Sequence, residues 1–303
     1  MDHQLTIGKV VSVKGVGLHT GQPSRITLNQ AAANTGIVFS GGASPRTLIP
    51  AIPEHVVDSR FATTVGVDGT RIRTVEHLMA AAAALGIDNL LVEVEGEEIP
   101  ALDGSARPFV ELLYTAGKAP LAALRRPLVI TKPIHVGDGA RWLRLLPADT
   151  FRISYTLDVE HPVVGTQAVS FACTEQVFVE ELAAARTYGF LKDVGTLRKS
   201  GLARGGSLDN AVVVGRKSVL NGNLRYRDEF VRHKILDLIG DLWLLGRPIV
   251  GHVVARNAGH SLNHQLLRAI VQEQAQFLTP SPLVTPLNGA RRAGTPLLGV
   301  VAR

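Results

Sequence analysis

The sequence predicts an α+β fold made of two similar halves, each a sheet packed against helices as a two-layer sandwich. Three observations lead there. Apolar and polar residues alternate over 6–13, 25–28 and 36–39 with Gly and Asn between the runs, the pattern of half-buried strands joined by turns. Five stretches carry helical spacing instead: 75–85, 107–117, 175–185, 229–245 and 261–277. Finally, the order hairpin, helix, strand occurs twice, on either side of a proline-flanked stretch, 118–127, that reads as a linker.

In the first half, a strand ending at Val67 meets Asp68-Gly69. Residues 70–74 follow, then a helix carrying His77 that stops before Gly86, then a strand over 89–94. In the second half, a strand ending at Leu220 meets Asn221-Gly222. Residues 223–227 follow, then a helix carrying His233 that stops before Gly246, then a strand over 248–254. Asp-Gly and Asn-Gly favour two-residue hairpins, and glycine commonly ends helices. Chance recurrence and a duplicated unit both fit this order. Duplication gives domains at 1–122 and 127–303 and brings both histidines to the interface between them.

The chain has 303 residues, 46% of them apolar, more than one core usually sustains. Its single cysteine, Cys173, excludes an internal disulfide and a cysteine-based zinc ribbon. The start lacks a basic-then-apolar export signal, so a cytoplasmic location is expected. The longest apolar run, 78–85, is mostly alanine and too short to cross a bilayer. A net charge of +6 fits either simple solubility or an anionic ligand such as a phosphate ester. Basic residues are scattered and aromatics make up 5%, so no nucleic-acid partner is expected.

His233, Asp237 and Asp241 stand at i, i+4 and i+8, on one face of a helix that is otherwise apolar almost all round. Such a helix is buried, and buried carboxylates need a cation or hydrogen-bond donors. A divalent ion and a histidine–aspartate ion pair both meet that need. In 74–79, Thr74 is a candidate N-cap, Glu76 suits a first turn, and His77 is alone ambiguous. With His233 and Asp237 it completes three protein ligands with one position left open, the pattern of a catalytic zinc site. Glu76, beside a ligand, is then placed to take a proton from water. His260 follows a glycine at a helix start, where Asp241 is available to orient its ring or keep it protonated. His3, His55, His135, His161, His252 and His264 read as surface or packing residues. The glycine-rich 15–21 precedes strand-like residues, so it is no phosphate-binding loop, and 97–105 reads as a turn and helix cap.

Seven segments together resemble one family. They are GVGLHTG (15–21), TVEHLMAA (74–81), the run opening DNLLVEVEGEEIPALDGS at 88, ARTYGF (185–190), GLARGGSLDNAVVV (201–214), DEFVRHKILDLIGDL (228–242) and AGHSLNH (258–264). The chain is similar in these to UDP-3-O-acyl-N-acetylglucosamine deacetylase, the zinc amidase at the committed step of lipid A biosynthesis for the Gram-negative outer membrane. The resemblance implies two similar α+β domains clasping one catalytic Zn2+ at their interface, held by His77, His233 and Asp237. It implies Glu76 as general base, His260 as its cationic or acid partner supported by Asp241, and Thr187 near the developing oxyanion. Lys234, Leu18 and His19 are implied at the substrate.

The implied substrate is a nucleotide-sugar with an acyl chain, the products acetate and a free 2-amino sugar, and the expected state a monomer. Leu191, Val194, Leu197, Leu202, Leu208 and residues 211–213 cluster in a segment that also holds Arg198, Lys199 and Arg204. Core packing and an acyl-chain passage both fit that composition; the resemblance favours a passage bounded by Leu191, Ala203 and Ala211. Two departures stand out: Tyr188 where phenylalanine is common, and Thr63 where some members carry cysteine. A zinc amidase of another substrate class and a non-enzymatic nucleotide-sugar binder are the alternative readings, and Glu76 beside an open metal position argues against the second.

Overall fold

The computed structural model describes residues 2–42 and 45–278; the end of the second expected unit lies outside them. Two five-stranded sheets dominate. The first runs in the spatial order Val11–Val16, Pro23–Gln30, Leu90–Glu95, Ile37–Gly41, Thr47–Pro50. The second runs Ile134–Asp138, Arg141–Leu146, His252–Arg256, Arg152–Val159, Gly165–Ala172. Neighbouring pairs are antiparallel, antiparallel, parallel and antiparallel in both. The duplication is therefore written in the sheets: in each, the strand after the site-bearing helix inserts between the second and third strands. Alternation does what the sequence pattern predicts, with Ile26 and Leu28 turned inward from one sheet and Ile153, Tyr155 and Leu157 from the other.

The described residues form six helices: α1 (Glu76–Leu85), α2 (Arg107–Ala116), a single turn α3 (Glu175–Val177) continuing into a π turn at Phe178–Leu182, α4 (Leu191–Lys199), α5 (Glu229–Leu242) and α6 (His260–Leu278). Of these, α2 packs on the first sheet and α1 against α2, while α5 and α6 pack on the second sheet. The two sandwiches meet helix layer to helix layer, α1 against α5. Small residues make that approach close. A Cβ on Gly240 of α5 would lie 2.0 Å from the Glu76 carbonyl oxygen of α1. The alanines 80–82 of α1 are fully buried. Inter-helix distance follows the side chains at the contact, so the site-bearing ends are drawn together.

Several local expectations change. Residues 118–127 are not all linker: Lys118–Leu124 pairs antiparallel with His3–Ile7, its proline tolerated in a two-stranded ribbon. Asp68-Gly69 does turn the hairpin Thr64–Val67/Thr70–Ile72, both residues at positive φ. Asn221-Gly222 turns no such hairpin. The Asn221 side chain instead accepts from Val213 N at 2.7 Å and donates to the carbonyls of Leu208 and Ala211, and local side-chain bonding of this kind competes with strand pairing. Thr74 is not the cap of α1, since Val75 takes that position without a side-chain bond. The Thr74 hydroxyl donates to Glu98 Oε1 at 2.8 Å, with its own backbone at φ 58°. No described helix is long and apolar enough to cross a membrane.

Candidate metal centre and catalytic cleft

α1 delivers Glu76 and His77 at its first turn, while α5 delivers His233, Lys234 and Asp237 from its middle. All but Lys234 are nearly inaccessible to solvent. His77 Nε2 lies 3.6 Å and His233 Nε2 3.3 Å from the same oxygen, Asp237 Oδ1. The two imidazoles meet edge to face with ring centres 5.1 Å apart. The three ligand atoms fall within 4.8 Å of one another.

The protonation pattern decides what this triangle wants. Burial pushes His233 down to about 3, and its Nδ1 lies 3.0 Å from the Ala185 carbonyl, which can only accept. Nδ1 therefore carries the hydrogen, and Nε2 presents a lone pair to the carboxylate. Burial alone would raise Asp237, but the surrounding positive charge, with the Lys234 ammonium bonded to Oδ2, holds it well below the usual carboxylate range. Lys234 Nζ takes Asp237 Oδ2 at 2.7 Å, whereas Asp237 Oδ1 is buried with no hydrogen-bond partner among the described residues. The short histidine–aspartate distances are thus not a satisfied ion pair. A buried anionic oxygen facing a lone pair needs a cation, and two imidazoles with one carboxylate suit a divalent metal in an open tetrahedral site. The residues fit the ion.

A second cluster lies beside the first. His260 Nδ1 is 2.7 Å from Asp241 Oδ2, and Asn263 Nδ2 donates to that oxygen at 2.8 Å. The Thr63 hydroxyl donates to Asp241 Oδ1 at 2.5 Å and lies 2.9 Å from His264 Nε2. Burial would lower His260, but Asp241, with Glu76 and Asp237 nearby, raises it to about 9. Between the clusters stands Glu76. Its Oε2 accepts from Thr63 N at 3.1 Å, and its Oε1 lies 3.8 Å from His260 Nε2. Burial raises Glu76 to about 7, with His260 and His77 pulling the other way.

Both clusters open onto one cleft of about 720 Å³, lined by Leu18, His19, Glu76, His77, Thr187, His233, Lys234, Asp237 and His260 among others. Asp241 sits fully buried behind His260. Leu191, Ala203 and Ala211 are not on the wall. Leu191 is half exposed on α4, the Ala203 N–H lies 3.4 Å from His19 Nδ1, and the Ala211 carbonyl is held by Asn221. Phe190 and Asp193 face the cleft instead, together with Leu197 of the expected cluster. Their i, i+3, i+7 spacing was readable, but two glycines (189 and 195) obscured the helix. The sequence reading also set aside His264, and it noted Thr63 only as a departure from the family pattern. His264 is 3% exposed. It stands one turn after His260, and that i, i+4 spacing was its available signal.

A model of the family UDP-3-O-acyl N-acetylglycosamine deacetylase matches residues 4–272. The chain belongs to this family. The UDP-3-O-acyl-N-acetylglucosamine deacetylase of Myxococcus xanthus is 50% identical over 277 residues, covering 91% of this chain and 88% of that protein. The enzyme of the same name from Acidithiobacillus ferrooxidans is 48% identical, covering 90% and 91%. The one from Idiomarina loihiensis is 45% identical, covering 92% and 94%. These deacetylases match nearly end to end, so both sheets and the helices that carry the site fall within the shared region.

Proposed function

We propose that this chain is a zinc-dependent amidase. It hydrolyses the 2-acetamido group of UDP-3-O-acyl-N-acetylglucosamine to acetate and the free amine, in lipid A biosynthesis. The observation that carries the reading is Asp237 Oδ1, buried without a hydrogen bond beside the Nε2 atoms of His77 and His233. His77, His233 and Asp237 would hold one Zn2+, which when bound supplies Lewis-acid polarisation of the amide and acidifies water.

The chain's own residues do the rest. Glu76 takes the proton of the attacking water; its carboxylate is fixed on one side by Thr63 N, and its pKa near neutrality suits a base that must also release its proton. His260, held protonated by Asp241, presents Nε2 to the cleft as the cation opposite the developing oxyanion, with the Thr187 hydroxyl as a further donor. Lys234 and Arg141 supply positive charge for a diphosphate. Leu18, Phe61, Phe190 and Leu197 line a wall suited to the acyl chain. We place the enzyme in the cytoplasm as a monomer of two domains, 1–122 and 127–303.

Acetate release from UDP-3-O-acyl-GlcNAc tests the reading: chelation should abolish it, added zinc should restore it, and non-acylated UDP-GlcNAc should be a far poorer substrate. Activity indifferent to thorough chelation, or equal on both substrates, would overturn it.

A further inference from the structure

Residues 184–187 form a short irregular run between the π turn and the strand Tyr188–Phe190, and other parts of the molecule bind its backbone at nearly every step. Arg225 Nη1 donates to Ala184 O at 2.9 Å. His233 Nδ1 lies 3.0 Å from Ala185 O. Arg186 N donates to Glu229 Oε1 at 3.0 Å. Thr187 N donates to Gly104 O at 2.7 Å, and Thr187 O accepts from Val212 N at 2.8 Å. Outside regular secondary structure, such bonds set the shape of the chain.

Two of these bonds trace back to residues 102–105 of the first half. Gly104 O supplies one directly. Arg225 supplies the other while its Nη1, which has two hydrogens, also donates to Asp103 Oδ2 at 2.8 Å. Asp103 cannot swing away, because its Oδ1 accepts from Ser105 N at 3.0 Å and from the Ser105 hydroxyl at 2.8 Å. The loop is pressed against the second half: a Cβ on Gly104, at φ +81°, would lie 2.0 Å from Asn210 O and 3.4 Å from Thr187 Cγ2. Arg225 is fixed from behind by Glu229, fully buried at the head of α5, whose Oε2 accepts Arg225 N at 2.7 Å while Oε1 accepts Arg186 Nε at 2.8 Å. Glu229 lies one helical turn before His233 on the same helix.

We infer that Asp103 and Arg225 are positioning residues: a strut from the first half that, with Gly104 O, holds 184–187 so that Ala185 O aims His233 Nε2 at the metal centre and Thr187 faces the cleft. Neither touches the reacting atoms. The inference rests on His233 being a metal ligand. Partners that orient a ligating histidine commonly change metal affinity or activity about 10- to 100-fold when lost, which sets the scale here.

The test uses the zinc holoenzyme at a temperature where each variant is fully folded. Arg225→Ala should weaken zinc in chelator competition, and lower kcat, each by about tenfold or more with KM little changed. Arg225→Lys, which keeps a positive charge with several donor hydrogens, should recover part of each loss. Lys118→Ala breaks a different ion pair between the halves, Lys118 Nζ to Glu175 Oε2 at 2.6 Å, and should leave both readouts unchanged. If Arg225→Ala does not fold, Asp103→Asn carries the same test with a smaller loss in the same direction. A lowered melting temperature with wild-type zinc affinity and kcat, in Arg225→Ala or in Asp103→Asn, would overturn the inference. Full zinc retention in His233→Ala would instead refute the ligand assignment beneath it.

Discussion

Two carboxylates one helical turn apart on α5 end in opposite states. Both Asp241 oxygens are bonded: Thr63 donates to Oδ1, and Asn263 and His260 approach Oδ2 at 2.8 and 2.7 Å. Asp237 has one oxygen tied to Lys234 and the other buried with no hydrogen bond. Both residues are almost wholly buried, so exposure does not explain the difference. What differs is the protonation of the facing histidine. His260 is raised to about 9 and completes Asp241 as a cation, whereas His233 is lowered to about 3 and turns a lone pair on Asp237. The Asp241 carboxylate is finished by donors of the chain itself, whereas the Asp237 carboxylate is left unfinished, with one oxygen for which the chain supplies no donor.

The comparison breaks hardest at the unfinished cluster. Replacing His233 or Asp237 by alanine removes one of three protein ligands. Activity should fall at least about a thousandfold with loss of bound zinc, since the Lewis acid is worth several kcal/mol. Metal analysis beside acetate release checks this, and retained metal in either variant contradicts it.

Next comes the carboxylate between the clusters. Glu76→Gln keeps shape and should keep zinc, yet lose about 10²- to 10⁴-fold in kcat. Loss of activity in step with loss of metal would make Glu76 a ligand instead.

The finished cluster should show itself in pH dependence. His260 is raised by its carboxylate neighbours, so its favourable protonated state is full below the ordinary histidine value and is lost as pH rises through about 9. The kcat/KM profile should therefore fall on the basic side near that value, and the fall should flatten in His260→Gln. Glu76, at about 7 without metal, sets an acid limb that a bound cation moves lower. An unchanged basic limb in His260→Gln would assign that titration elsewhere.

The smallest effect is expected at Thr63. Thr63→Val leaves Asp241 Oδ1 short of a donor and should cost about 1–3 kcal/mol of stability by denaturant melts, with zinc content unchanged. Thr63→Ser, which keeps the hydroxyl, should cost much less; equal losses in both would show that the hydroxyl is not what matters.

Much of the α5 stripe could be read beforehand because i, i+4, i+8 spacing on an apolar helix leaves few physical options for its carboxylates. His77 and Glu76 were readable only jointly with that stripe. The close meeting of α1 and α5 was not readable, because the glycine that permits it looks like any helical glycine until a carbonyl is seen against it. Thr63 lies about 180 residues from Asp241 in sequence, and no local pattern links them. The second hairpin failed because the side chain of Asn221 found backbone groups to bind, which composition alone does not reveal. The cleft wall was misplaced by a few residues for want of α4. The duplicated sheet order was hidden because strand pairing is non-local, although its strands were individually periodic.

The metal site we propose is completed by two helices, one from each half of the chain. Its most direct test is zinc stoichiometry of the enzyme, of His77→Ala on α1 and of His233→Ala on α5, each assayed for acetate release from UDP-3-O-acyl-GlcNAc. One zinc per active chain, lost together with activity in both variants, is the predicted result. Zinc kept by either variant after mild chelation, or acetate released without it, would contradict the account.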